Sequence, residues 1–84
     1  MKEPSRRIVI RLDMSSQDLA NIVYKALRPE TEVSRASGSG VQISVEENVL
    51  TLCFSSQKTA ALRALVNSYL RWVMMINDVV TVLE

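Results

Sequence analysis

Histidine is absent from this chain and cysteine occurs once, at Cys53. The first absence removes the commonest general base and the commonest transition-metal ligand together. With one thiol and no imidazole, a zinc site and a Ser-His or Cys-His nucleophile are excluded within the chain. No catalytic residue, metal site or cofactor is therefore expected. Cys53 has no intramolecular disulfide partner, which fits a reducing compartment. Its place in an expected strand makes it a small packed residue, not a nucleophile.

Glycine and proline are equally scarce, two of each, while 48% of the residues are apolar. That composition is globular and not disordered. At 84 residues the chain is expected to be a single domain, 1–84, with a core near the lower limit for unaided stability, where oligomerisation is a common remedy. No N-terminal apolar run of signal-peptide length occurs, and no stretch of about 20 uncharged apolar residues could span a bilayer. The expected location is the cytoplasm. A formal net charge of +1 gives no strong nonspecific attraction to nucleic acid or anionic membrane, although a local basic patch remains open.

What is present in quantity is helical apolar surface. From Ala61 to Val80, Leu62, Leu65, Val66, Tyr69, Val73, Ile76 and Val80 fall on one side of a helical projection. Ala61, Ala64, Ser68, Trp72, Met75 and Val79 form a neighbouring stripe. With Leu70 they cover roughly two thirds of the circumference, against the single stripe expected of a surface helix in a monomer. Only Arg63, Asn67, Arg71 and Asp78 make a plainly polar ribbon. Small residues at Ala61, Ala64 and Ser68 admit the close approach of another helix, and Trp72 and Met75 supply a large, adaptable anchor. This predicts a surface for another protein.

Upstream, Ile8, Ile10 and Leu12 alternate with Arg7, Val9 and Arg11 as in a half-buried strand. Ser15 with Asp18 has capping-box spacing. Leu19, Ile22, Val23, Ala26 and Leu27 then hold helical spacing until Arg28-Pro29, so a helix of about three turns is expected to stop at the proline. Pro29 to Gly40, with both glycines and three serines, reads as a mobile loop. Gly38-Ser39-Gly40 lacks the lysine ending and the following helix of a phosphate-binding loop. Val41, Ile43 and Val45, a Glu46-Glu47-Asn48 turn, and Leu50, Leu52 and Phe54 read as a hairpin. Ser55 and Ser56 offer caps to the long helix.

The expected fold is α+β in the order β-α-β-β-α: a three-stranded antiparallel sheet, the first strand beside the third, with both helices on one face. That split β-α-β arrangement is loosely like a KH module. The KH Gly-X-X-Gly loop for nucleic-acid backbone is missing. A stand-alone KH-like RNA-binding module is the alternative function, and adjacent Glu46 and Glu47 in a turn make a poor acid-base pair.

The run Ala61-Leu62-Arg63-Ala64 followed by Asn67-Ser68-Tyr69-Leu70-Arg71-Trp72, with Leu27-Arg28-Pro29-Glu30 after the first helix, resembles the Pcc family of small dimerisation subunits of the KEOPS (EKC) complex. The resemblance covers nearly the whole chain. It implies a noncatalytic subunit of a machine that installs threonylcarbamoyl on a tRNA adenosine beside the anticodon. It further implies that the chain pairs with itself or with a paralogue, and that its helices pack on the N-terminal lobe of a catalytic subunit of sugar-kinase-like fold. Leu62, Leu65, Asn67, Tyr69, Leu70, Arg71, Trp72 and Val73 fall in the matching helix, and with Met75 form the expected partner-binding set. Ser34-Arg35-Ala36-Ser37-Gly38 and Ser55-Ser56-Gln57-Lys58 depart from the family's pattern. Arg7, Arg11 and Arg35, within a scattered rim that includes Arg6 and Arg28, are the candidate tRNA contacts.

Overall fold

The computed structural model describes residues 6–36 and 39–83, with side chains for 6–32 and 39–80. The elements are β1 (Arg6–Asp13), α1 (Gln17–Ala36), β2 (Gly40–Glu46), β3 (Val49–Ser56) and α2 (Thr59–Leu83). The sheet is antiparallel in the order β1-β3-β2, so the architecture is the α+β arrangement that the periodicities predict. β3 is central, pairing with β1 on one side and β2 on the other. Leu50, Leu52 and Phe54 are buried under the helices, while Val49, Thr51, Cys53 and Ser55 face the other way and are half-buried.

Register fixes both faces of the sheet. Ile8, Ile10 and Leu12 lie opposite Phe54, Leu52 and Leu50, and Val41, Ile43 and Val45 flank the same three from the other side. α1 lies chiefly over β2, and α2 over β3 and β1. The core contains Leu19, Ala20, Val23 and Leu27 of α1, the β3 residues, and Leu62, Tyr69 and Val73 of α2. Tyr69 is fully enclosed and meets Phe54 edge-on, with ring centroids 5.5 Å apart at 73°. That is a favoured aromatic geometry, contributing about 0.5–1.5 kcal/mol beyond buried area.

Four local expectations need correction. α1 does not stop at Pro29 but carries the proline inside it and runs on to Ala36. A proline removes one backbone donor and crowds one carbonyl, and Glu30, Thr31 and Glu32 beyond it are compatible with helix. The Thr31 hydroxyl donates to the Arg28 carbonyl at 2.7 Å in the same turn. Of the expected loop, then, 29–36 is helical, Gly40 opens β2, and residues 37 and 38 lie outside the described ones.

The cap of α1 is Ser16, not Ser15. Its hydroxyl accepts from Leu19 N at 3.0 Å and its carbonyl from Ala20 N at 3.1 Å, which is the N-cap pattern. Ser55 belongs to β3, and α2 begins later than expected. Leu62 N donates to the Lys58 carbonyl, which makes Lys58 the cap position, while the buried Ser56 hydroxyl accepts from Lys58 N at 3.2 Å. Finally, Ile22 and Ala26, which share the apolar spacing of α1, are exposed. α1 has only a narrow contact line, and Leu19, Ala20, Val23 and Leu27 fill it.

At the hairpin, Glu47 adopts φ 55°, the left-handed region that L residues enter at a cost. Asn48 beside it ties the turn to the end of β1. Its side-chain amide donates to Asp13 Oδ1 at 3.2 Å and to the Met14 carbonyl at 3.0 Å, and its own carbonyl accepts from Met14 N at 2.8 Å.

Candidate partner-docking surface

At about 1.5 Å per residue, the 25 residues of α2 span about 37 Å. The eight residues of β3 span about 26 Å at strand rise. The helix therefore outruns its sheet. It passes the end of β1 where Leu12 to Ser15 and Val73, Met74 and Asn77 line a crevice of about 350 Å³.

Around the axis, α2 uses one arc for its own fold. Leu62, Tyr69 and Val73 are buried, and Leu65, Val66, Ile76 and Val80 pack partly against the same core. The neighbouring stripe is left uncovered: Ala64 and Ser68 are exposed, Met75 is 58% exposed and Val79 59%. β1 borders α2 on the side of Val73, Met74 and Asn77. Exposed Ile22 on α1 extends the apolar surface of the helical layer.

Trp72 sits at the seam of the two arcs. It is half-buried, packed on the core, and edge-on to Tyr69 with centroids 5.0 Å apart at 60°. A buried ring thus fixes the orientation of one that reaches the surface.

The expected partner-binding residues fall into three groups. Leu62, Tyr69 and Val73 are inside the fold; Leu65, Leu70 and Trp72 are half-buried; Asn67, Arg71 and Met75 are exposed. Only the last two groups offer atoms to another molecule. Met74, 65% exposed, and Ile22 are surface apolar residues that the sequence did not single out. Met74 projects among the polar ribbon, and Ile22 shares the spacing of the α1 core, so periodicity alone hides both.

The face of the sheet away from the helices is of a different kind. Arg7, Val9, Arg11 and Asp13 of β1 lie on it, opposite Ser55, Cys53, Thr51 and Val49, with Gln42, Ser44 and Glu46 on the far side. Arg7 donates to Cys53 Sγ at 3.2 Å. That hydrogen bond, followed by the electrostatic influence of the Cys53 sulfur, raises the guanidinium pKa above its usual value, against a smaller opposing effect of desolvation. Arg7 and Arg11 share this face. Arg35 lies in the last turn of α1, on the other layer, and its side chain is outside the described residues. The three arginines are not gathered into one cluster by the backbone.

Around β2, Val41 to Ser44 line a groove of about 540 Å³ with Tyr24, Arg28 and Thr31 of α1 and with Arg7, Thr51 and Cys53 of the open sheet face. Arg28 lies over the Tyr24 ring, 6.0 Å from its centroid. Among the described residues no cluster of three or more His, Cys, Asp and Glu side chains is placed to hold a metal. No helix among them is long and apolar enough to cross a membrane.

A three-stranded antiparallel sheet under two helices, the longer of which leaves an apolar stripe uncovered, defines a small α+β protein. The family model described as "Transcription factor Pcc1" matches residues 7–81, which spans every element from β1 into the last turn of α2. The chain belongs to the Pcc1 family, a family of KEOPS-associated subunits and not a known catalytic family. No curated protein matches the chain.

Proposed function

We propose that this chain is a noncatalytic scaffold subunit of the KEOPS complex. It pairs with a second copy or a paralogue, holds the catalytic subunit of sugar-kinase-like fold on its helices, and so supports threonylcarbamoyl modification of tRNA adenosine in the cytoplasm. The observation that carries this is the uncovered stripe of α2, Ala64, Ser68, Met75 and Val79 with Trp72 at its border. Small residues followed by large ones suit a helix that crosses closely at one end and is gripped at the other. Contiguous exposed apolar surface of this kind on a small protein marks an interaction site.

Pairing is assigned to the β2 edge. The open sheet face sets Arg7, Arg11, Asp13 and Glu46 around exposed Val9 and half-buried Val49, Thr51 and Cys53, whereas β2 is an uncharged strand as far as Glu46, with a groove beside it that Arg7 and Arg28 also line. An edge of that composition is a template for another strand. Light scattering of the purified chain, alone and mixed with a kinase-like catalytic subunit, tests both contacts. Expected are a dimer alone and a stoichiometric complex in the mixture; absence of any complex with a folded catalytic subunit refutes the scaffold role.

A further inference from the structure

Four methionines and one cysteine are the chain's sulfur-bearing residues. Cys53 is half-buried on the open sheet face, where Arg7 donates to it, and Met14 is 8% exposed in the core. Met1 lies outside the described residues. Met74 and Met75, 65% and 58% exposed, are therefore the described sulfurs that solvent reaches most freely, and both stand on α2. About 100° separates them around the helix axis, so their thioethers meet different surroundings. Met74 lines the crevice with Asp13, Ser15 and Asn77. Met75 shares the uncovered stripe with Ala64, Ser68 and Val79.

A thioether is apolar and adaptable, which suits a docking surface, yet it is also an apolar group that a mild two-electron oxidant makes polar. With hydrogen peroxide the sulfur lone pair attacks one peroxide oxygen and the O–O bond breaks. That oxygen stays on sulfur as the sulfoxide, and the other leaves as water after proton transfer; sulfur loses two electrons and the peroxide gains them. On the free subunit the new oxygen accepts from water, so the fold is not penalised. Under a docked protein it is stripped of that water. Its stripe cannot replace the donor: Ala64 and Val79 carry no polar side chain, and Ser68, seven residues back, is about 10 Å away along the axis. Burying an acceptor without a partner costs enough to weaken binding about tenfold or more. Met74 projects among the polar ribbon, where a sulfoxide stays in water.

We propose that Met75 is a reversible oxidation site that gates assembly: the thioether docks and the sulfoxide does not. The gate rests on the docking reading above and acts on the free subunit, because a docked partner covers the sulfur.

The test treats the purified chain with dilute hydrogen peroxide, then with dithiothreitol, which returns Cys53 to the thiol and leaves sulfoxides in place. Peptide mass mapping is expected to show one added oxygen on Met74 and on Met75 before any on Met14, with an unchanged circular dichroism spectrum. Calorimetric titration with the kinase-like catalytic subunit is expected to show the oxidised chain binding at least about tenfold more weakly than the untreated one, and a methionine sulfoxide reductase to reverse the loss. Leucine replaces methionine at nearly constant volume and cannot be oxidised, so each variant is read as the ratio of its oxidised to its untreated affinity. That ratio should return to one in Met75→Leu and stay at the wild-type value in Met74→Leu. An oxidised wild type that binds as well as the untreated chain overturns the gate, as does a loss that persists in Met75→Leu. Untreated chain that fails to bind the catalytic subunit overturns the docking reading itself, and the gate with it.

Discussion

The Trp72 indole stands edge-on to the Tyr69 ring, centroids 5.0 Å apart, and Tyr69 stands edge-on to Phe54 behind it. The three rings run from the centre of the sheet to the surface of the helical layer. Phe54 and Tyr69 are fully buried and Trp72 is half-buried. The same side chain that borders the proposed docking stripe is therefore also a support of the fold, and its two roles must be separated by choice of variant.

Trp72→Ala removes both. Loss of a central interface aromatic costs about 2 kcal/mol or more, which is a weakening of partner binding of about thirtyfold. Loss of the aromatic pairing and of half-buried area should also lower the melting temperature, by about 4–8 °C for each kcal/mol in a domain of this size. Met75→Ser tests docking alone: at 58% exposure the side chain contributes little to the fold. Calorimetric titration with the catalytic subunit is expected to show weaker binding by the Met75 variant at an unchanged melting temperature. Unchanged affinity in both variants removes this stripe from the interface.

Tyr69 behaves differently because it is enclosed. Tyr69→Ala should cost about 3–5 kcal/mol, the range for emptying a buried aromatic site, and leave little folded protein near 37 °C. Any loss of partner binding then follows unfolding, as denaturant titration of the isolated chain would show. Leu62 and Val73 belong with Tyr69 in this respect.

The hairpin offers a change in each direction. Asn48→Ala strips the end of β1 of two side-chain hydrogen bonds and should lower stability by about 1–2 kcal/mol. Glu47→Asn should raise it by up to about 1 kcal/mol, since the left-handed region costs most L residues that much and asparagine less. Thermal denaturation of the two variants beside wild type checks both signs.

Pro29 shows where local rules stop. The alternation of β1, β2 and β3 and the helical spacing of α2 were legible because each is a periodic pattern with one buried face. The length of α1 was not, because a proline reads as a stop although it withholds only one hydrogen bond, and the helix continues through Glu30 to Ala36. Ser16 and Lys58 were missed as cap positions by small shifts, since several serines stood at each start and only backbone geometry chooses among them. Of the proposed docking surface, the apolar excess of α2 was legible in the sequence. Which of its members the fold itself consumes was not, because a helical projection cannot tell which side the sheet occupies. Pro29→Ala should restore the missing hydrogen bond to the Lys25 carbonyl. A proline in a helix interior costs about 3 kcal/mol relative to alanine, and about 1 kcal/mol of that is offset by its stiffening of the unfolded chain. The variant is expected to melt several degrees higher; a lower melting temperature would mean that the proline ring itself contributes to packing.

The last prediction concerns nucleic acid. Arg7 and Arg11 lie on the sheet face opposite both helices, so a molecule bound there does not compete with a protein docked on α2. Arg35 lies at the end of α1 that leads back to Gly40, the same end of the sheet as Arg7. With a net charge of only +1, the isolated chain should bind tRNA weakly, and these arginines should act as part of a larger basic surface in the assembled complex. Arg7→Glu/Arg11→Glu/Arg35→Glu is expected to lower the tRNA affinity of that complex while leaving the affinity for the catalytic subunit unchanged. A complex that neutralises fewer phosphates releases fewer counterions on binding, so the slope of log affinity against log salt should flatten by roughly one unit for each phosphate no longer held. A slope identical to wild type would show that no phosphate was held there. A loss of subunit affinity instead would place the arginines at a protein interface.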